Sequence, residues 1–428
     1  MSSWKDSFVA YFWKGIKADN RAVLGVEVEH FILQSQTREA VTYDGDNGVR
    51  QILGQLMKLY PAAKILPDED FFGFSTPEFT ITLEPAAQLE ISIAPMESIR
   101  KVAGVYQHFR YNLDRVLAAF GYIAVTAGCQ PTSHVADLPL LPKKRYTLMD
   151  SYFRHCGTGG VEMMRGTASV QVSIDYQSEA DFCRKIQAAY FYSPLLKLLC
   201  DNSSSFQGTN ITVPLTRTSI WRRVDPARCG ILPHLFSHSY SFADYADFLG
   251  SMPPIFLKQG RRIVPTGQQT TTQLLDGRKP TVAELSHILS IAFPDVRLKQ
   301  FLEVRVADSV ALPFMLAYCA LIKGLLYGQE GLNYAHEQIK HHKITDEAIL
   351  AAEDALIQKG WKACIYGHPV HLWAKDLLAL ARRSLPAEEQ PFLDAFYPVV
   401  TYGGIVHIPA DIRIELERQI SQILEPLV

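Results

Sequence analysis

The sequence predicts an α+β fold. Three observations carry that reading. Short strand-like runs alternate with amphipathic helical ones, several of those strands gather their polar residues on one face, and the chain from about Leu312 onward reads as mostly helical. No repeat, low-complexity segment or Pro/Ser-rich linker interrupts the pattern. A chain of 428 residues has room for one large domain or two moderate ones. The expected division is a core over 1–311 and a mostly helical part of the same domain over 312–428.

Trp4, Phe8 and Phe12 recur at helical spacing and predict a first helix docked on the body. Alternation or β-branched enrichment predicts strands over 24–33, 88–93, 121–126, 169–175 and 301–306. A stripe of Ile99, Val102, Tyr106, Phe109, Leu113, Val116 and Phe120 predicts a helix over 96–120. A second long helix is expected over 179–200, with Ser178 as its N-cap. The tail is expected to be helical apart from a Pro/Gly-containing stretch near 397–409, and to cap the sheet.

Composition narrows the classes of function. The chain is 48% hydrophobic and 20% charged, which is ordinary for a globular protein with a sizeable core. A net charge of -2 lacks the basic footprint that a nucleic-acid or anionic-membrane partner usually leaves. No apolar run reaches the roughly 18 residues needed to span a bilayer. The opening MSSWKDSFVAYFWKG has no basic segment leading into an apolar one, so no signal peptide is expected. Seven cysteines, an odd number without CxxC spacing, predict reduced thiols and a cytoplasmic protein. The histidines, His30, His134 and His155 among them, lack metal-ligand spacing.

The informative pattern lies in the strands, where residues two apart share a face. GVEVEHFIL (25–33) sets Glu27 and Glu29 opposite Val26, Val28 and Ile32. QLEISI (88–93) sets Gln88, Glu90 and Ser92 opposite Leu89, Ile91 and Ile93. SVQVSID (169–175) sets Ser169, Gln171, Ser173 and Asp175 opposite Val170, Val172 and Ile174. FLEVRV (301–306) sets Glu303 and Arg305 opposite Leu302, Val304 and Val306. Glu84 stands just before the second of these, with Pro85 setting a turn. Clustered carboxylates repel, and desolvating them is costly unless cations compensate. Magnesium takes oxygen ligands and usually keeps waters or phosphates in its shell. Glutamates on a polar sheet face, with an arginine among them, therefore suggest magnesium and a phosphorylated substrate.

At this point six ordered segments resemble one family. LEPAAQLEIS is similar to the LEPGGQ-E-S signature of the plant-type and bacterial glutamate–cysteine ligases, with Ala86 and Ala87 in place of the paired glycines. GVEVEHFIL resembles their first E-x-E strand, PKKRYTLMDSYF (142–153) their PKGRY segment, and MMRGTASVQVSID (163–175) their MM…T…VQV-D strand. TRTSIWRRVDPARCGILP (216–233) resembles their tryptophan- and arginine-containing loop, and FPDVRLKQFLEVRVADS (293–309) their FP-VRLK-YLE-R-AD run. HLWAKDLLALARRSL (371–385) resembles a late helix of the family.

The resemblance implies a fold of the glutamine-synthetase catalytic type: an antiparallel, partly closed sheet forming a funnel, with helices packed outside. It implies an ATP- and Mg2+-dependent ligation of the glutamate γ-carboxylate to the cysteine amine through a γ-glutamyl phosphate. The implied magnesium ligands are Glu27, Glu29, Glu84, Glu90 and Glu303, with Gln88 behind them. Glu303 and Arg305 are the implied catalytic pair, with Arg305 on the transferred phosphoryl group. Lys143 and Arg145 join it as nucleotide contacts. Thr167, Gln171, Arg217 and Arg228 are the implied glutamate contacts, and Trp221 a wall of the cysteine pocket. Three alternatives stay open at this point: a sibling ligase using another amine, a non-catalytic sensor with the same fold, and a metal-dependent phosphotransferase of the wider fold superfamily.

Overall fold

Alternation along the strands sorts side chains onto two surfaces, and the valine-, leucine- and isoleucine-rich surface decides how the chain folds. The computed structural model describes residues 3–19, 21–259 and 262–425. Nine strands form the main sheet: β1 (Leu24–Gln34), β2 (Lys64–Ile65), β3 (Phe74–Ser75), β4 (Phe79–Leu83), β5 (Leu89–Met96), β6 (Tyr122–Val125), β7 (Ser169–Ile174), β8 (Val296–Leu298) and β9 (Leu302–Asp308). Their order is β8-β9-β7-β1-β5-β4-β3-β2, with β6 pairing the far end of β1, and every pair is antiparallel. The path stays open among the described residues: its ends, β8 and β2, do not pair, so the sheet is large and antiparallel but not closed.

Register explains which side chains meet. Glu29 lies opposite Glu90 across β1 and β5, and Glu27 lies between Ser92 on β5 and Gln171 on β7. Glu303 on β9 faces Arg297 on β8 and Ser173 on β7. The opposite surface carries Val26, Val28, Leu89, Ile91, Val170, Val172, Leu302 and Val304, all fully buried.

Helices cover that apolar surface. The Ile99–Ala119 helix uses the expected stripe, burying Ile99, Val102, Tyr106, Phe109 and Leu113. Its Ser98 makes no capping bond. The Ile99 amide instead donates to Glu389 Oε1 at 3.0 Å, a cap supplied from the far tail. The Glu179–Leu199 helix starts on the expected cap, Ser178 accepting from the Asp181 amide at 3.0 Å. The Leu312–Leu326 helix is buried along almost its whole length, seated against β1, β7 and the Ile99–Ala119 helix. No single described helix is long and apolar enough to cross a membrane.

At the N-terminus, Trp4, Phe8 and Phe12 lie on the buried face of the Ser3–Trp13 helix, with Phe12 packed on Phe242 and Tyr245. The stretch near 397–409 is more helical than its composition suggested. It holds a helix, Phe396–Tyr402, and a 3-10 turn, Ile405–His407, separated by Gly403 and Gly404 at φ of +73° and +129°. His30 is a core residue, held between the Leu89 carbonyl and the Tyr106 hydroxyl. Burial drives its pKa down to about 3, so it is neutral.

Candidate active site

The polar sheet face opens into a cavity of about 260 Å³. Glu27 and Glu29 reach it from β1, Glu90 from β5, Ser169 and Gln171 from β7, and Arg305 from β9. The turn between β4 and β5 adds Glu84 and Gln88. The roof comes from three helices: Lys144–Cys156 contributes Arg145 and Tyr146, Gly160–Gly166 contributes Met163 and Met164, and Thr216–Trp221 contributes Arg217 and Trp221. Thr167, Ser290, Phe293, Arg297 and Lys299 also line it.

Local bonding fixes these groups. Glu29 Oε2 accepts from the Ser169 amide at 2.8 Å, and its Oε1 from Ser169 Oγ at 3.0 Å and Gln171 Nε2 at 3.1 Å. Glu90 Oε1 accepts from Thr82 Oγ1 at 2.9 Å and Ser92 Oγ at 3.2 Å. Gln88 ties the β4–β5 turn to the roof, accepting from the Ala86 amide at 2.9 Å and donating to the Thr167 carbonyl at 3.2 Å. In that turn Ala87 holds φ at +65°, the left-handed conformation for which a glycine is the usual residue. Gln171 bridges the two charges of the site, donating to Glu29 and accepting from Arg305 Nη1.

The carboxylates divide into two electrostatic kinds. Burial, followed by repulsion from Glu90 and Glu303, pushes Glu27 up to about 8. Burial with repulsion from Glu29 pushes Glu84 up to about 7, and burial with repulsion from Glu84 and Glu29 pushes Glu90 up to about 8. Glu29 is raised too, burial outweighing Arg217, Arg305 and its hydrogen bonds. These four lack the positive charge that their ionised forms need. Glu303 is the other kind. Burial opposes its ionisation, yet Arg297, Lys299 and Arg305 overcome that and hold it well below the usual carboxylate range. The three cations bond it at 2.6, 2.8 and 2.8 Å.

Most of the expected site residues therefore meet in one place: Glu27, Glu29, Glu84, Glu90, Arg145, Thr167, Gln171, Arg217, Trp221 and Arg305 all line the cavity. Three do not, each because of a partner. Glu303 is fully buried and does not line the cavity; its oxygens pair with Arg297, Lys299 and Arg305, and it anchors Arg305. Arg228 is fully buried away from the cavity, bound to Asp225 at 2.6 Å, the Tyr152 hydroxyl, and the Ile291 and Pro253 carbonyls. Lys143 turns to Asp68 and packs over the Phe72 and Tyr146 rings.

Sequence reasoning missed Arg297, Lys299 and Ser169. Arg297 and Glu303 are partners across a tight hairpin whose loop is only residues 299–301, and that spacing was the available signal. Ser169 shares its face with Gln171, two residues on.

The donor set suits a hard divalent cation, since it is all oxygen and under-compensated. Among the described residues no three His, Cys, Asp or Glu side chains converge as they stand to hold an ion. The glutamates ring the cavity instead, an arrangement in which phosphate and water oxygens complete an ion's shell.

Fold and site together define an α+β enzyme with a mixed acidic and basic cavity on one face of an antiparallel sheet. The chain belongs to glutamate-cysteine ligase family 2, whose model matches residues 23–394. It is 29% identical over 414 residues to a chloroplastic glutamate–cysteine ligase of Arabidopsis thaliana, covering 93% of this chain and 77% of that one. It is 30% identical over 335 residues to glutamate–cysteine ligase A of Oryza sativa subsp. indica, covering 77% and 68%. A solved glutamate–cysteine ligase of Francisella tularensis, in complex with AMP, shares the fold at a TM-score of 0.56 and 12% identity, over 96% of this chain and 88% of that one.

Proposed function

We infer that this chain joins the γ-carboxylate of glutamate to the amine of cysteine, using ATP and forming γ-glutamylcysteine, ADP and phosphate. A γ-carboxylate oxygen attacks the terminal phosphorus of ATP, and ADP leaves with the electron pair of the broken P–O bond. The cysteine nitrogen then forms the amide C–N bond, and phosphate leaves with the pair of the broken C–O bond. Both steps gather negative charge, so the protein's task is to position anions and compensate their charge. The observation that carries this reading is the cavity in which four under-compensated glutamates face Arg305, Arg145 and Arg217, in a chain of this family.

Arg305 presents a planar, permanently charged fork to the phosphoryl oxygens, and Glu303 with Gln171 holds that fork still. Arg145, anchored on Ser290 by bonds of 2.8 and 2.9 Å, faces the nucleotide phosphates. Arg217, Thr167 and Gln171 hold the glutamate. Arg228 supports the loop that carries these groups without touching substrate. Glu27, Glu29, Glu84 and Glu90 would hold magnesium, which when bound neutralises triphosphate charge. The sheet, of the glutamine-synthetase catalytic type in this reading, supplies a rigid floor for all of them.

The test is product identification by mass after incubation with ATP, Mg2+, glutamate and cysteine. A γ-glutamyl dipeptide formed with stoichiometric ADP is expected. Absence of any amide product with glutamate and a panel of amines overturns the assignment.

A further inference from the structure

The roof helix Thr216–Trp221, which brings Arg217 and Trp221 to the cavity, begins at a strained residue. Leu215 holds φ at +58°, in the left-handed region that a leucine seldom adopts. Such a conformation lasts only where neighbours impose it. Here the Leu215 amide donates to Asp201 Oδ2 at 3.1 Å. Asp201 lies just past the Glu179–Leu199 helix, so one carboxylate joins that long helix to the start of the roof.

Asp308 is the acidic neighbour of Asp201. It ends β9, the strand that carries Arg305, and its Oδ2 accepts from the Asn202 amide at 3.0 Å and Ser203 Oγ at 3.1 Å. Asn202 Nδ2 donates in turn to the Ser309 carbonyl at 2.8 Å and the Thr126 carbonyl at 3.1 Å. A side chain on Gly128 would collide with Asp308 Oδ2, so backbone closes directly over that carboxylate. Residues 201–203 are thus a clasp, one end on the floor strand and the other on the roof. Arg217 is held to the same strand, its Nη1 and Nη2 donating to the Val306 and Arg305 carbonyls at 3.4 and 3.3 Å.

Charge decides the state of the clasp. Among the described residues both carboxylates receive hydrogen bonds only from neutral donors. Arg217 favours ionised Asp308, yet its bonds go to backbone carbonyls. The thiols of Cys129 and Cys200 also face the pair, and burial keeps both neutral. On its open side Asp201 lines a groove of about 940 Å³ with Lys359, Lys362 and His407. Burial, followed by repulsion from Asp308, pushes Asp201 up to about 8; burial raises Asp308 too, outweighing Arg217. Two carboxylates so placed keep one proton between them near neutral pH.

We propose that Asp201 and Asp308 are positioning residues: holding one proton between them, they clasp the roof helix bearing Arg217 and Trp221 to the strand bearing Arg305. Loss of that proton sets two negative charges against each other and loosens the roof. Neither carboxylate touches substrate. The kinetic consequence rests on the ligase reading above, to which it adds an alkaline limit set outside the cavity.

Asp201→Asn and Asp201→Ala against the parent chain test this. Asparagine keeps an oxygen for the Leu215 amide and stands for the protonated acid, whereas alanine removes the clasp. At about pH 7 Asp201→Ala is expected to raise the apparent KM for the amino-acid substrates about tenfold, with that for ATP held within about twofold. Asp201→Asn is expected to stay within about threefold of the parent there. The rate of Asp201→Asn relative to the parent should then climb about threefold or more between about pH 7 and 9, because only the parent has this proton to lose. A flat ratio across that range overturns the proposal, as does an Asp201→Asn chain that is as impaired as Asp201→Ala or fails to fold. Where alanine alone does not fold, the asparagine ratio decides. Urea denaturation separates the clasp from the ligase reading. An acid whose folded value is raised loses its stabilising effect as pH climbs from its ordinary 3.8 toward about 8, so the midpoint of Asp201→Asn should gain on that of the parent over that span. No gain overturns the shared proton. If the parent makes no amide, the ligase reading fails by itself, and the urea comparison still decides the clasp.

Discussion

Glu27 and Glu303 stand on the same face of one sheet, yet their surroundings charge them in opposite senses. Burial and neighbouring glutamates raise Glu27 to about 8, whereas three cations depress Glu303. The raised group binds a proton in the folded state that the unfolded chain has already released above its ordinary value of 4.5. Stability of the ligand-free protein from Glu27, Glu84 and Glu90 is therefore present at acid pH and falls as pH rises toward about 7 to 8. Glu303 contributes above the unfolded value and loses its contribution only as pH falls toward its depressed folded one. Urea denaturation across about pH 5 to 8 should show a shallower decline in Glu27→Gln than in the parent chain, and Mg2+ with ATP should stabilise the parent more at pH 8 than at pH 6. The same variant should lose ligation by about 100-fold or more, read as the rate of product formation. At this scale the sequence revealed which glutamates share a face, because alternation settles that. It did not reveal what occupies Lys143, whose partner Asp68 is 75 residues away. Arg228 was more readable: Asp225, three residues before it, was in plain view.

The β4–β5 turn shows how an element positions charge. Glu84 and Gln88 close it with a backbone bond of 2.9 Å, and Ala87 sustains its left-handed φ within a buried site. A β-branched residue is far less tolerant of that conformation. Ala87→Val is expected to cost about 2 kcal/mol or more of stability in chemical denaturation, with activity falling alongside as Glu84 and Glu90 shift. The two long helices and strands β1, β5, β6, β7 and β9 were legible because each repeats its own period, whereas the alternating β4 went unread. The two-residue strands β2 and β3 offer no period to read. Strand order was equally hidden, since β7 sits between β1 and β9 through contacts more than a hundred residues apart.

Across the whole molecule, the helical tail is part of the fold's interior. The Leu312–Leu326 helix backs the sheet, Glu389 caps the Ile99–Ala119 helix, and Glu353 pairs with the buried Lys197 of the Glu179–Leu199 helix. A chain ending at Ala311 would expose the apolar sheet surface that this helix covers. Such a chain is expected to aggregate or lack a cooperative thermal transition, checked by circular dichroism and gel filtration. The tail's helices and their packing on the sheet were evident from the sequence, but their particular neighbours were not, because a helix apolar all round can be matched to neighbours only in three dimensions. The account as a whole claims that the sheet face holds two separate charge systems: glutamates left short of cations for a ligand to complete, and one glutamate already saturated by the protein. Equilibrium denaturation of ligand-free Glu27→Gln and Glu303→Gln at pH 8, side by side with the parent, tests this most directly. Glu27→Gln should be more stable than the parent by about 1 kcal/mol or more, and Glu303→Gln less stable by about 3 kcal/mol or more. Shifts of the same sign in both variants would contradict it.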